Sequence, residues 1–149
     1  MSKRTLLATI VALTIVILAA GCAKKFEVRI EDGGAPLTGA QAERLAATTD
    51  ISSLASVTTT DAVAMRVRVL GELRTHGALG VRAADLLTIG FPARTAAVPV
   101  LVRASPVDGV DAVVVVEAFG SSEGGALVHR RLWVFDRASG AILRAASVR

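Results

Sequence analysis

Side chains that commonly carry out chemistry are scarce in this sequence. Its 149 residues include one cysteine and two histidines, whereas a metal site needs several ligands and a nucleophile needs a base beside it. His76 and His129 lie at no ligand spacing from another ligand. We interpret His76 as the last residue of a helix and His129 as a solvent-facing residue of a strand. The sequence therefore predicts no metal, no soluble cofactor and no catalytic residues.

Carboxylates can work in pairs as general acid and base, and one such set could be drawn from Asp108, Asp111 and Glu117. The first two bracket a turn, where carboxylates are usually solvated. The loop Gly120–Gly125 holds two serines between glycines, but no lysine follows, so it lacks the pattern of a phosphate-binding loop. We expect it to be a flexible hairpin connection and expect no acid–base pair.

Arg130 and Arg131 are adjacent in a predicted strand. The simplest interpretation is a solvated pair of side chains. Arginine is also enriched at protein interfaces, because its planar fork binds carboxylates. The alternative is therefore that Arg130 and Arg131 contact an anion or an acidic partner.

The first 22 residues have the anatomy of an export signal. Lys3 and Arg4 precede an apolar or small-residue run over positions 5–20, which leads into Leu18-Ala-Ala-Gly-Cys22. A signal needs a positive start, an apolar stretch of roughly 7–15 residues and small residues before the cut. The alternative, a retained membrane span, needs about 20 apolar residues and is less well matched. This segment resembles a bacterial lipoprotein signal peptide that ends in a lipobox.

The resemblance implies how the protein is processed and where it resides. Cleavage would fall between Gly21 and Cys22, and Cys22 would carry a covalent lipid, the only cofactor expected. Residues 1–21 would be the signal, 22–25 the lipidated tether and 26–149 a single periplasmic domain. Because Ala23, and not aspartate, follows the cysteine, the resemblance favours the outer membrane. A lone cysteine in an exported protein fits this use, since it has no disulfide partner.

Composition narrows the choice of partners. The formal net charge of +4 would fall to +2 with the loss of Lys3 and Arg4, and aromatic residues make up 3% of the chain. Stacking platforms for single-stranded nucleic acids need exposed rings and a basic groove. We therefore expect membrane attachment through the lipid and contacts with envelope proteins, but no nucleic acid.

The domain is predicted to be α+β, with two layers: an antiparallel C-terminal β-meander packed by one or two helices. Strands are predicted near 26–30, 98–102, 113–116, 127–135 and 141–148, and Thr38 is a candidate cap for a helix over 41–47. Residues 61–75 fit a helix or a strand; the length and the caps, Thr60 or Asp61, favour a helix. Val81–Leu87 is predicted to be a short strand or a helical turn.

The C-terminal third carries a second resemblance. Two segments carry it. Gly109–Val116 begins with Gly-Val-Asp-Ala-Val-Val, and Leu132–Leu143 reads Leu-Trp-Val-Phe-Asp-Arg-Ala-Ser-Gly-Ala-Ile-Leu. They resemble the end of periplasmic domains of the TolB N-terminal and CsgG-like class, which act in envelope assembly and secretion by docking to partners. Together the two resemblances imply a membrane-anchored, non-catalytic interaction module. The alternative is a small-ligand-binding or hydrolytic lipoprotein whose site the sequence does not display.

Overall fold

The computed structural model describes residues 25–92 and 94–148. Within them, five strands form one sheet in the order β1-β2-β3-β4-β5, and three helices pack against it. The strands are β1 (Arg29–Glu31), β2 (Ala97–Val107), β3 (Val110–Phe119), β4 (His129–Asp136) and β5 (Ile142–Val148). The helices are α1 (Gly39–Thr48), α2 (Thr59–Leu73) and α3 (Gly77–Ile89). The predicted α+β class is confirmed.

The sheet is mixed. β1 pairs parallel to β2, and β2 to β5 form the predicted antiparallel meander. The turn between β2 and β3 places Asp108 at φ 49° and Gly109 at φ 84°. Positive φ at both central residues is the geometry that matches the twist of a two-residue hairpin. The β-branched and apolar runs therefore pair in sequence order.

Capping chemistry sets the starts of the first two helices. Thr38 and Gln41 form a reciprocal capping box at α1, as the predicted cap requires. The ambiguous segment 61–75 is helical, but the cap is Thr58, whose hydroxyl accepts a hydrogen bond from the Asp61 amide. The cap therefore lies two residues before Thr60 and three before Asp61, the two predicted candidates. Val81–Leu87 lies inside the longer helix α3, so the alternative of a strand there is wrong.

Apolar side chains cover both faces of the sheet. We call one face the even face because it carries the even-numbered residues of β3, Ala112, Val114, Val116 and Ala118. It packs with α1 and with part of α2. The odd face carries Val113 and Val115 of β3 and packs with α3 and the end of α2. The prediction that the valine run is covered on both sides is confirmed. α2 contributes to both clusters and lies beside β2.

Candidate functional site

The odd face contains a buried ionic centre. Glu117 of β3 is fully buried, and its Oε1 accepts a hydrogen bond from Nη1 of Arg66 in α2. Its Oε2 accepts from Arg131 Nη2 at 3.2 Å and from Trp133 Nε1 at 2.8 Å. A carboxylate away from water is tolerated when it is paired and hydrogen-bonded on both oxygens. Glu117 meets that condition.

Arg66 connects the elements around this centre. Its guanidinium is almost completely buried and donates to the carbonyl oxygens of Ala97 in β2, at 2.9 Å, and of Leu87 in α3, at 3.2 Å. Backbone carbonyls at a strand edge and at a helix end need such donors when water is excluded. Arg66 of α2 therefore connects α3, β2 and β3, and it holds these elements together.

Aromatic rings surround the outer member of the centre, Arg131. Its guanidinium carbon lies 5.2 Å from the ring centroid of Phe119 and 5.1 Å from that of Trp133. The Phe91 ring meets Trp133 edge-on at 4.8 Å, and Phe135 stacks on Trp133 at 6.3 Å. Both cation–π and edge-to-face geometries are favourable. Three of the four phenylalanines and the tryptophan thus gather at one place, although aromatic residues are rare in the chain.

Part of this face remains open where α3 ends. The side chain of Arg131 is 26% exposed, and the neighbouring residues Ala145 and Ser147 of β5 are exposed. Ile89 is 84% and Ile142 53% exposed, and a cavity of about 170 Å³ lies between them. We call this region, from Arg131 and Trp133 to Ile142 and Ile89, the β4–β5 surface. It combines arginine and tryptophan, which are enriched at protein interfaces, with exposed isoleucine side chains.

The two adjacent arginines lie on opposite faces of β4. Arg131 belongs to the odd face, whereas Arg130 belongs to the even face and donates from Nε to the Thr49 carbonyl oxygen at 2.7 Å. Both side chains are half-buried, so the interpretation as a solvated pair is wrong. Their contact with a partner stays a prediction.

The three carboxylates considered for acid–base chemistry do not form a site. Asp108 accepts a hydrogen bond from the first amide of α1, that of Gly39, at 3.0 Å, and Asp111 lies 4.0 Å from Arg137. Glu117 is at the other end of β3, bound by Arg66 and Arg131. The signal for it was present in the sequence, because a charged residue inside the apolar run Val113–Ala118 must face a buried partner.

The histidines are also apart. His76 is exposed, and its Nδ1 lies 2.8 Å from the Glu72 carbonyl oxygen in the last turn of α2, where the Nδ1–H donates. His76 is nevertheless not, as expected, the last residue of a helix: α2 ends at Leu73, and His76 directly precedes α3. His129 is half-buried with its ring 5.5 Å from that of Phe119, so the expected solvent-facing position is wrong. Among residues 25–92 and 94–148, no three His, Cys, Asp or Glu side chains are grouped so as to hold a metal.

A groove of about 650 Å³ lies beside the predicted hairpin loop Gly120–Gly125. Thr60 of α2, Arg94 and Ser121 line it, together with Glu123. Residues 120–124 also match the spacing Gly-x-Ser-x-Gly. A nucleophile elbow requires a strand-to-helix turn with a histidine beside the serine. This loop instead joins two antiparallel strands, and Ser122 bonds to no histidine of the described chain.

Two carboxyl groups have a shifted pKa, and both stabilise turns. The pKa of Asp50 is lowered by hydrogen bonds from the backbone amide and the hydroxyl of Ser52. The pKa of Asp136 is lowered chiefly by the Ser139 amide, which donates at 2.7 Å. Hydrogen bonds to the ionised form lower a carboxyl pKa. Neither residue lines the groove, and neither has the raised pKa of a general acid.

Comparison with known proteins adds no relative: no family model, no curated protein and no solved structure matches this chain. The resemblance to TolB N-terminal and CsgG-like domains therefore stays a prediction. Gly21 and Cys22 lie outside the described residues. No helix within those residues has the length and apolar character needed to cross a membrane.

Proposed function

We propose that the protein is a lipid-anchored lipoprotein of the bacterial envelope that acts as a non-catalytic docking module. The signal-like segment before Cys22 supports the anchor, and Ala23 directly after the cysteine favours an outer-membrane location. The observation that carries docking is the β4–β5 surface, where Arg131, Trp133, Ile142 and Ile89 are accessible next to an open sheet edge. Central aromatic and arginine residues supply most of the binding energy at interfaces.

The chemistry of the buried centre also supports docking over catalysis. A general base needs a free lone pair within reach of substrate. Both oxygens of Glu117 are taken up by Arg66, Arg131 and Trp133, and the carboxylate is fully buried. The centre instead holds Arg131 and Trp133 in fixed positions, which lowers the entropic cost of presenting them to a partner.

The groove of about 650 Å³ favours a second candidate, a small-ligand-binding lipoprotein. Its volume falls within the range of ligand pockets, about 300–1,000 Å³. Thr60, Arg94 and Ser121 offer polar groups there. A ligand binder should lose function when Arg94 is replaced by Gln and keep it when the β4–β5 surface is altered.

Lipid attachment is tested by replacing Cys22 with Ala. The full chain is expressed with a fatty-acid analogue, and we expect labelling of the parent and none of Cys22→Ala, which should accumulate as uncut precursor. A Ser53→Ala variant serves as the control for the substitution itself. Label on the Cys22→Ala protein would place the lipid elsewhere and contradict the proposed anchor.

Docking is tested by recovery of partners from detergent-solubilised envelope. We expect Ile142→Asp to abolish recovery of any stoichiometric partner, because a charge would be placed in the centre of the apolar surface. The pair His76→Ala and His129→Ala removes the usual proton shuttles and should leave recovery unchanged. Loss of function in the histidine pair with an unchanged melting curve, together with an inert Ile142→Asp, would overturn the docking model.

A further inference from the structure

The groove beside the loop Gly120–Gly125 has a wall that the fold holds in place. It has a volume of about 650 Å³ and lies between this loop and the first turn of α2. The Thr59 amide donates to the Gly125 carbonyl oxygen at 2.8 Å, and the Thr59 hydroxyl donates to the Ser122 carbonyl oxygen at 3.1 Å. The Gly125 amide donates to the same Ser122 oxygen at 3.0 Å. Because these bonds hold the loop in place before any ligand arrives, binding in the groove costs less conformational entropy.

Most arginines of the described residues bind a carboxylate or a carbonyl oxygen of the fold. They are Arg29, Arg66, Arg68, Arg74, Arg82, Arg103, Arg130, Arg131, Arg137 and Arg144. Arg94 is different, because it lines the groove and forms no hydrogen bond or ion pair with residues 25–92 or 94–148. Its planar fork therefore keeps its N–H donors for an acceptor that the described chain does not supply.

The loop residue Glu123 lines the same groove. Within the part of the chain that the structure describes, its carboxylate also has no hydrogen bond or ion pair, and it is not paired with Arg94. Two opposite charges that line one groove without neutralising each other complement a ligand that carries both signs. A ligand of a single sign would satisfy one of these charges and leave the other without a partner.

The rest of the lining suits a peptide backbone. Thr60 and Ser121 contribute hydroxyl groups to the groove, whereas Val63 and Ala96 contribute small apolar side chains. A hydroxyl can both donate and accept a hydrogen bond, so it fits an amide N–H as well as a carbonyl oxygen. The volume lies within the range of ligand pockets, about 300–1,000 Å³. Two or three extended residues span about 7–10 Å, a length that a groove of this size can hold.

We propose that the groove binds a short peptide of two or three residues with free amino and carboxyl ends. Arg94 binds the carboxylate, Glu123 binds the ammonium group, and the peptide backbone lies between them against Thr60 and Ser121. This inference goes beyond docking and does not depend on the lipid anchor. It rests on the groove that favours the second candidate function, and it names the class of ligand for that site.

The experiment measures peptide binding by calorimetry with the full chain in detergent micelles. The probes are dialanine and trialanine, each also prepared with an acetylated amino end, with an amidated carboxyl end and with both ends blocked. Arg94→Gln and Glu123→Gln each remove one charge. Arg44→Gln and Glu27→Gln are the matched controls, because these exposed side chains also lack a partner among the described residues and lie outside the groove. Shifts of the amide NMR signals of Gly120–Gly125 locate the site.

We expect the parent and both controls to bind at least one free peptide about threefold to fivefold more tightly than either singly blocked form, the range of one exposed charge pair. Arg94→Gln should bind the free and the amidated peptide equally and should still prefer the free amino end. Glu123→Gln should lose the preference for the free amino end and keep that for the free carboxyl end. Both variants should melt like the parent, because exposed substitutions of this kind change stability little.

Three results would each overturn the proposal: no binding of either free peptide at about 10 mM, equal binding of the free and the doubly blocked peptide, or end preferences that persist in Arg94→Gln and Glu123→Gln. Partner recovery separates this site from docking. A protein that ignores the peptides but loses its partner with Ile142→Asp loses the peptide site and keeps the docking function. A protein that shows the expected end preferences keeps the peptide site even where Ile142→Asp has no effect.

Discussion

The two faces of the sheet are stabilised by different chemistry. The even face consists of alanine, valine and leucine side chains packed against α1 and α2, and it depends on shape and apolar area. The odd face contains the Glu117 centre among aromatic rings, and it depends on every polar partner being present. This difference predicts how each face responds to substitution. An apolar face loses stability in proportion to the volume removed, whereas a buried ionic centre is strongly destabilised when one member is lost.

Loss of Glu117 is expected to have the largest effect. Glu117→Ala leaves Arg66 buried without a carboxylate, and breaking a buried pair costs about 3–5 kcal/mol. Urea unfolding of the purified protein measures this loss. Glu43→Ala, which removes the exposed partner of Arg144, is the matched control and should cost less than about 1 kcal/mol.

A double variant sharpens this result. Glu117→Leu combined with Arg66→Met replaces the pair by apolar groups, which should restore part of the stability. Recovery should be incomplete, because Arg66 also donates to the Ala97 and Leu87 carbonyl oxygens. A single variant Glu117→Ala with nearly parental stability would contradict the dependence of the odd face on this ionic centre.

The even face is tested by Leu132→Ala. Leu132 is fully buried in β4, and deletion of such a side chain costs about 2–5 kcal/mol through lost burial and a cavity. Trp133 emission in the folded state should not shift, since Trp133 belongs to the other face. The exposed residue Val128 gives the control, and Val128→Ala should change the free energy of unfolding by no more than about 0.5 kcal/mol. A shifted Trp133 emission would contradict the independence of the two faces.

The same contrast explains which features were predictable. The meander follows from local signals: the valine run of β3, the Asp-Gly turn and the apolar run Leu132–Phe135 of β4 each specify their own conformation. The even face follows from those strands by alternation. The ionic centre joins Arg66 to Glu117, 51 residues apart in the chain. The sequence indicates that Glu117 needs a buried partner, but single-sequence patterns do not show which residue that partner is. Helix α3 extends beyond the predicted segment Val81–Leu87 at its start, where Gly77 and Gly80 give a weak helical signal.

Gly80 lies inside α3 because a side chain at this position would not fit. A Cβ at this position would overlap the Leu73 carbonyl oxygen, so the glycine permits close contact between α3 and the end of α2. The candidate set of Asp108, Asp111 and Glu117 rests only on the closeness of the three residues in sequence. On an extended strand, residues 108 and 117 lie about 30 Å apart, so the strand itself separates the carboxylates.

The smallest expected effect concerns an exposed carboxylate, Asp136, at the end of β4. Hydrogen bonds from the Ser139 amide and hydroxyl hold the pKa of Asp136 below its ordinary value, which is about 3.9. Because the folded-state pKa is the lower one, the stabilisation is fully present above the ordinary value and is lost as pH falls through the folded-state value. Asp136→Asn should therefore be less stable than the parent at neutral pH, and the difference should shrink on acidification.

Urea midpoints measured from neutral pH to below about pH 3 would check this prediction. Ser139→Ala removes the hydroxyl but leaves the amide, which is the main cause of the shift, so it should reduce the pH-dependent part only slightly. A parent and an Asp136→Asn variant whose midpoints differ by a constant amount at every pH would show that the carboxylate charge does not stabilise the turn. The turn that leads into β5 would then depend on its backbone bonds alone, such as that from the Gly140 amide to the Asp136 carbonyl oxygen.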